Sequence, residues 1–183
     1  MKISVYIATS LDGFIARKDG SLDWLPGSDG EVDESLVGED FGYATFMDSV
    51  DVMVMGRKSY EKILSFGEWP YGDKRVIVLS STLKTVSPTI ASASFVSIRD
   101  LSPEALVEAL RSEGADHLYI DGGSTIQRFI NANLVDELIL TRVPILIGEG
   151  ISLFGTLHKD KTLEHQETQS YSNGFVQSRY KIV

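Results

Sequence analysis

Three observations predict an α/β protein with a central mixed, mostly parallel sheet, helices on both faces and a C-terminal antiparallel hairpin. Two strand-like stretches, residues 52–55 and 117–120, each run into a glycine turn and then directly into a helix. The chain closes on two alternating segments, 163–169 and 175–182, joined through Ser172-Asn173-Gly174. Strands that alternate with helices imply parallel crossover units, and an Asn-Gly turn between alternating runs implies a hairpin.

Residues 2–8 alternate around Ile3, Val5 and Ile7, the period-two pattern of a first strand. The polar turn Thr9-Ser10-Leu11-Asp12-Gly13 then leads into Phe14, Ile15 and Ala16. Residues 17–34 carry glycines, aspartates, Trp24 and Pro26 without periodicity, and long ordered connections are often functional. Trp24 either covers a ligand or packs onto the core. Residues 35–49 read as a helix with Leu36, Val37, Phe41, Ala44, Thr45 and Met47 on its apolar side, although Gly38 and Gly42 weaken it. Glu39 and Asp40 lie one turn before Tyr43. Such carboxylates either turn inward, where a raised pKa suits acid–base work or a grip on ligand N–H groups, or face solvent.

Val52 to Met55 are apolar without alternation, as in a strand covered on both faces. Gly56 permits a sharp turn and close approach of a ligand to the backbone. Arg57, Lys58 and Ser59 then bring two cations and a hydroxyl to a helix start whose free N–H groups favour an anion. The alternative is an ordinary junction with solvated basic residues. The helix buries Tyr60, Ile63 and Leu64, and residues 66–73 form a loop. A buried strand over 74–79 ends at Ser80-Ser81-Thr82, hydroxyls that suit a phosphate or ribose or that cap a turn.

Residues 93–98 form a short strand. Ser102-Pro103-Glu104 opens a helix that Gly114 closes, with Leu106, Val107 and Leu110 toward the core. The strand at 117–120 runs into Asp121-Gly122-Gly123-Ser124-Thr125 and a helix carrying Ile126, Phe129 and Ile130. This repeats the junction at Gly56. Two such junctions on neighbouring parallel strands would set two anion-friendly helix starts on one sheet edge, which points to a nucleotide cofactor. A strand over 136–143 stops at Pro144, and the apolar run 145–150 closes on Gly148 and Gly150. No linker or repeat interrupts residues 1–183, so a single domain is expected.

Composition narrows the function. The chain has 183 residues, 43% hydrophobic and 23% charged, an ordinary globular balance. Without cysteine it has no disulfide, thiolate ligand or cysteine nucleophile, and His117, His158 and His165 lack metal-ligand spacing. A net charge of −9 argues against nucleic acid and acidic membranes, but leaves room for one small anion on a local basic cluster. No apolar run approaches a membrane span, and Met1-Lys2-Ile3 enters a strand rather than a leader, so a cytoplasmic location is expected. The triphosphate-binding loop pattern fails, because Arg57 follows the glycine and Asp51 holds the upstream glycine position. The dinucleotide fingerprint fails too, because Gly148-Glu149-Gly150 is followed three residues on by Leu153. No G-x-S-x-G elbow supports a hydrolase.

Four pieces in order carry a family resemblance: Ser10-Leu11-Asp12-Gly13-Phe14-Ile15-Ala16, Val54-Met55-Gly56-Arg57-Lys58-Ser59-Tyr60-Glu61, Asp121-Gly122-Gly123-Ser124-Thr125, and Leu134-Val135-Asp136-Glu137-Leu138 with Pro144-Ile145-Leu146-Ile147-Gly148-Glu149-Gly150. Together they resemble the dihydrofolate-reductase-like superfamily. The last piece looks most like its riboflavin-biosynthesis reductase branch and the stand-alone relatives of that branch. The resemblance implies the three-layer fold of that superfamily and NADPH as cofactor. It implies that Ala8 and Ile15 hold the nicotinamide amide by backbone contacts. Gly56, Arg57, Lys58 and Ser59 would take the pyrophosphate and the 2′-phosphate side, with Ser80 and Ser81 near the adenosine. Gly122, Gly123, Ser124 and Thr125 would complete the cradle, where paired glycines take an unusual backbone geometry.

For the substrate, Asp40 falls where folate reductases keep the carboxylate that grips the pteridine, and Trp24 falls near their active-site tryptophan. Asp12 matches the first-loop aspartate of the riboflavin-type branch. The implied reaction is hydride transfer to a C=N carbon of a small heterocycle, either dihydrofolate or the phosphoribosylamino-pyrimidine of riboflavin synthesis. Arg17 and Lys18 are candidates for the latter's phosphate. A cofactor-fold module without catalysis is the alternative. The resemblance also suggests a homodimer through residues 143–147 and the terminal hairpin.

Overall fold

A computed structural model describes residues 1–27, 38–88 and 93–183. One eight-stranded sheet forms its centre, in the order β5-β4-β3-β6-β1-β7-β10-β9. Strands β1 (Lys2–Ser10), β3 (Val52–Gly56), β4 (Arg75–Leu79), β5 (Val96–Arg99), β6 (His117–Asp121) and β7 (Glu137–Val143) run parallel. The hairpin of β9 (Leu163–Ser170) and β10 (Val176–Ile182) closes the sheet, with β10 antiparallel to β7. A second, two-stranded sheet pairs β2 (Phe14–Ala16) with β8 (Ile151–Ser152).

Side-chain alternation on the central strands divides the core in two. Val52, Val54, Ile77, Leu118 and Ile120 face α3 (Pro103–Ser112) and α4 (Gly123–Asn131), where Leu106, Leu110, Ile126 and Phe129 are fully buried. Met53, Met55, Val76, Val78 and Tyr119 face α1 (Tyr43–Ser49) and α2 (Arg57–Leu64), which contribute Phe46, Tyr60 and Ile63. Each large side chain so buried contributes roughly 1.5–3 kcal/mol. The layers are helices, sheet and helices, as the unbroken apolar runs of β3 and β4 require.

Local chemistry sets the helix ends. Ser102 caps α3 by accepting a hydrogen bond from the Ala105 N–H at 3.2 Å, and Pro103 occupies the first turn, where its missing N–H costs nothing. Helix α1 differs from the expectation. Of the expected 35–49 span, residues 35–37 lie outside the described residues, and the helix begins only at Tyr43. Phe41 and Gly42 take left-handed φ of 56° and 81°, which breaks helical continuity just before it. The strand expected from residue 93 starts at Val96, after a 3-10 turn over Ala93–Phe95.

His117 lies at the N-terminal end of β6, at the edge opposite the strand-to-helix junctions. Its Nε2 is 2.9 Å from Ser4 Oγ, and its Nδ1 is 3.0 Å from the Ser49 carbonyl. Ser4 also donates to Glu137 at 3.0 Å, and the Asp51 carboxylate accepts the His117 N–H at 2.8 Å. These bonds satisfy polar groups buried between strands, a structural role. Among the described residues no helix is long and apolar enough to cross a membrane.

Candidate functional site

The connections leaving the sheet place the site. After β3 the chain passes to the α1 and α2 face, whereas after β6 it passes to the α3 and α4 face, where β2, which follows β1, also packs through Ile15. β6 lies beside β3, so the chain diverges to opposite faces between these two strands. Such divergence opens a crevice at the C-terminal strand ends, where open α/β sheets bind ligands. The pairing of β1 with β6 runs from Lys2–His117 to Ser4–Tyr119, so Ala8 lies beyond it on the rim.

The two glycine junctions meet in this crevice. Met55 is registered against Asp121, which sets the starts of α2 and α4 side by side. A Cβ on Gly56 would stand 2.8 Å from Thr125 Oγ1, and a Cβ on Gly122 would run into Ser59 Oγ. Gly122 itself holds φ 86° and ψ 137°, a conformation that side chains exclude. A Cβ on Gly123 would stand 2.9 Å from Ile15 Cδ1, so β2 covers the start of α4. The structure thus brings Gly56, Ser59, Gly122, Gly123, Thr125 and Ile15 together, with Ser124 exposed beside them.

Two helix N-termini and close-packed glycines form a cradle that suits a phosphate group. Arg57 and Lys58 are exposed at its edge. Arg57 Nη1 pairs with Glu61 Oε1 at 3.2 Å, and both side chains are nearly half exposed. A surface pair of that kind is worth at most about 1 kcal/mol, so a phosphate can compete for the guanidinium. Ser80 Oγ accepts the N–H groups of Thr82 (3.2 Å) and Leu83 (2.9 Å), the turn-capping alternative. The Ser81 carbonyl accepts from Lys84 Nζ at 2.6 Å, which puts a third exposed cation at the end of β4. Lys84 escaped the sequence reading because it belongs to no periodic element.

Asp12 and Asp40 both have their oxygens engaged. Asp12 Oδ1 accepts from Ser10 Oγ at 2.6 Å and from the Ile147 N–H at 3.3 Å, and Oδ2 accepts the Gly148 N–H at 2.8 Å. These bonds tie the turn after β1 to the loop after β7, and they hold the carboxyl below its ordinary value. The Asp40 carboxylate accepts the N–H groups of Gly42 (2.9 Å) and Ala44 (3.1 Å), caps α1 from solvent and is likewise lowered. It also lines a polar cleft with Tyr6, Glu39, Gln177 and Arg179. Trp24 is buried against Val143 and Phe175, and its Nε1 has no hydrogen-bond partner among the described residues. Arg17 is engaged with Asp23 at 2.6 Å, and Lys18 with Glu149.

One acidic residue stands apart. Asp121, the last residue of β6, shares the α1 and α2 face with Tyr119, and burial pushes its carboxyl up to about 6. Around it lie Tyr43, Tyr71 and Tyr119, phenols raised chiefly by their own burial. The sequence signal was available: an aspartate ending an otherwise apolar strand, immediately before paired glycines.

Comparison with known proteins agrees with this architecture. The family described as the RibD C-terminal domain matches residues 1–177. YwjB of Bacillus subtilis is 34% identical over 182 residues, covering 98% of this chain and 97% of that protein. A crystal structure from Shewanella sp. PV-4, whose name places it provisionally in riboflavin biosynthesis, superposes with a TM-score of 0.90 at 37% identity, covering 100% of this chain and 99% of that one. The deaminase/5-amino-6-(5-phosphoribosylamino)uracil reductase of Thermotoga maritima gives a TM-score of 0.70 at 15% identity, over 100% of this chain and 56% of that one. At that identity the likeness speaks for the fold alone.

Proposed function

The chain belongs to the RibD C-terminal domain family, and from that premise we propose that it is an NADPH-dependent reductase of a C=N bond in a small heterocyclic substrate. The observation that carries the reading is the pair of helix starts pressed together at Gly56 and Gly122, with Arg57 and Lys58 at their edge. Gly56, Ser59, Gly122 and Thr125 would hold the pyrophosphate, with the two cations and Lys84 toward the 2′-phosphate. Ala8 and Ile15 would receive the nicotinamide, because both lie on the rim of the same crevice. The bound cofactor supplies a hydride. The protein's part is to hold donor and acceptor carbons in line, exclude water and deliver a proton.

A 5-amino-6-(5-phosphoribosylamino)uracil-type substrate is preferred over dihydrofolate, because Asp40 already spends its oxygens on α1. With Asp12 also engaged, a module that binds NADPH without turnover is the second reading. Assaying NADPH oxidation with each substrate separates them. We expect turnover with the aminopyrimidine at least about tenfold faster than with dihydrofolate, a difference of ~1.4 kcal/mol in barrier. Binding without any oxidation favours the module. Assembly as a homodimer is part of the proposal, since all eight residues of the edge strand β9 are exposed and available for pairing.

A further inference from the structure

We propose that Asp121 is the proton donor of this site, acting as a protonated carboxylic acid toward the nitrogen of the substrate's C=N bond. The inference rests on the reductase reading above. Position is the first argument. Asp121 ends β6 in the middle of the crevice, registered against Met55 on one side. On the other side, continuing the register that pairs Ser4 with Tyr119 sets Asp121 level with Tyr6, two residues short of Ala8. It immediately precedes Gly122, where the cradle is tightest.

Elimination is the second argument. Asp12 and Asp40 are ionised acceptors whose oxygens already receive backbone N–H groups, so neither has a proton to give. Asp121 differs from both in that burial outweighs its donors, whereas Asp12 and Asp40 are lowered by theirs.

The third argument is the surroundings. The Tyr119 hydroxyl, on the same face of β6 as Asp121, donates its proton to the Tyr6 carbonyl at 2.9 Å. The Gly122 N–H and the Tyr119 hydroxyl pull the Asp121 carboxyl down, and burial outweighs them. The titratable groups that face Asp121 are Tyr119 on β6, Tyr43 on α1 and Tyr71 on the loop before β4, all neutral at physiological pH. No described cation draws the proton off. The upward shift to about 6 agrees with this arrangement.

The step balances. Two electrons and a hydrogen arrive at the carbon as hydride, and the C=N π bond opens. The Asp121 O–H bond breaks as an N–H bond forms, and the carboxylate recovers its proton from water after the product leaves. The conversion is one C=N reduced for one NADPH oxidised.

The test combines kinetics with a spectroscopic readout that needs no cofactor. With NADPH and 5-amino-6-(5-phosphoribosylamino)uracil, Asp121→Asn should lower kcat by about 10²–10⁴-fold, leave the KM for NADPH within about threefold, and lose the alkaline limb of the pH profile. Asp121→Glu should recover part of the rate, and Asp121→Ser replaces the asparagine variant should that one not fold. Infrared difference spectra of wild type against Asp121→Asn should show a protonated carboxyl at about pH 5 that vanishes by about pH 8. An active wild type whose asparagine variant keeps kcat within about threefold overturns the proton-donor role alone, as does a carboxyl ionised throughout that range. A wild type that binds NADPH but oxidises it with neither substrate overturns the reductase reading and the proton-donor role with it.

Discussion

Gly122→Ala should lose NADPH affinity by about a hundredfold or more, equivalent to about 2.7 kcal/mol, while the protein still folds. Two effects combine at this position. At φ 86° and ψ 137° the backbone lies where an L side chain is strained, at about 1–3 kcal/mol. The new Cβ would also run into Ser59 Oγ, which belongs to the start of α2. Ser59 is anchored in the first turn of a helix and cannot withdraw without moving that turn. The two helix starts would therefore part, and the N–H groups that converge on one phosphate would diverge.

Gly114→Ala is the matched control. It has a similar φ of 84° but nothing within 4 Å of its Cβ, so it should cost about 1 kcal/mol of stability and leave NADPH binding unchanged. Calorimetric titration of both variants checks the pair. Equal losses of affinity would mean that strain, not the cradle, governs binding.

The second large effect is on stability and depends on pH. Burial raises the Asp121 carboxyl from 3.8 to about 6, so the folded state holds this proton more tightly than the unfolded chain does. The contribution is present in full below about pH 4 and is lost as pH rises through about 6, because the unfolded chain then gives up the proton at less cost. A shift of about two units corresponds to about 3 kcal/mol, and the partial exposure of Asp121 trims that to about 1–3 kcal/mol. Asparagine carries no charge at any pH. Relative to wild type, Asp121→Asn should therefore gain about 1–3 kcal/mol between about pH 4.5 and pH 7.5, measured by urea unfolding at both. A difference between the two proteins that stays constant over that range would show that Asp121 is not held neutral by the fold. Wild type gives up stability as the pH rises toward neutrality because it keeps a carboxyl with a raised pKa in its crevice, a trade that active sites commonly make.

Much of the architecture was legible because the decisive signals are local. The apolar runs of β3 and β6 stop at glycines, so the strand–glycine–helix junctions could be read directly, and their meeting followed from parallel pairing. Helix α1 was expected eight residues before its observed start at Tyr43, partly in residues beyond the described ones. Gly38 and Gly42 were the warning, and their left-handed φ values give the physical reason. Alternation misled in β9, where all eight residues are exposed although the hairpin itself forms.

The substrate side was least legible because its contacts are long-range. The bonds of Asp12 reach Ile147 and Gly148, 135 and 136 residues away, and no local pattern encodes such a clamp. Asp40 looked like a ligand-gripping acid by position, but in the fold its carboxylate faces the N–H groups of Gly42 and Ala44. The reverse holds for Asp121. It was written in the motif before the paired glycines, yet its raised pKa comes from burial beside tyrosines on β6, α1 and the loop before β4.

Calorimetric titration of the purified wild-type protein with NADPH and with NADH tests the central claim most directly. The cradle at Gly56 and Gly122, with Arg57, Lys58 and Lys84 beside it, predicts one NADPH per chain, bound at least about tenfold more tightly than NADH, a margin of ~1.4 kcal/mol for the extra phosphate. It also predicts that Arg57→Ala removes most of that margin. No heat with NADPH, or equal affinity for the two cofactors with Arg57 intact, would contradict it.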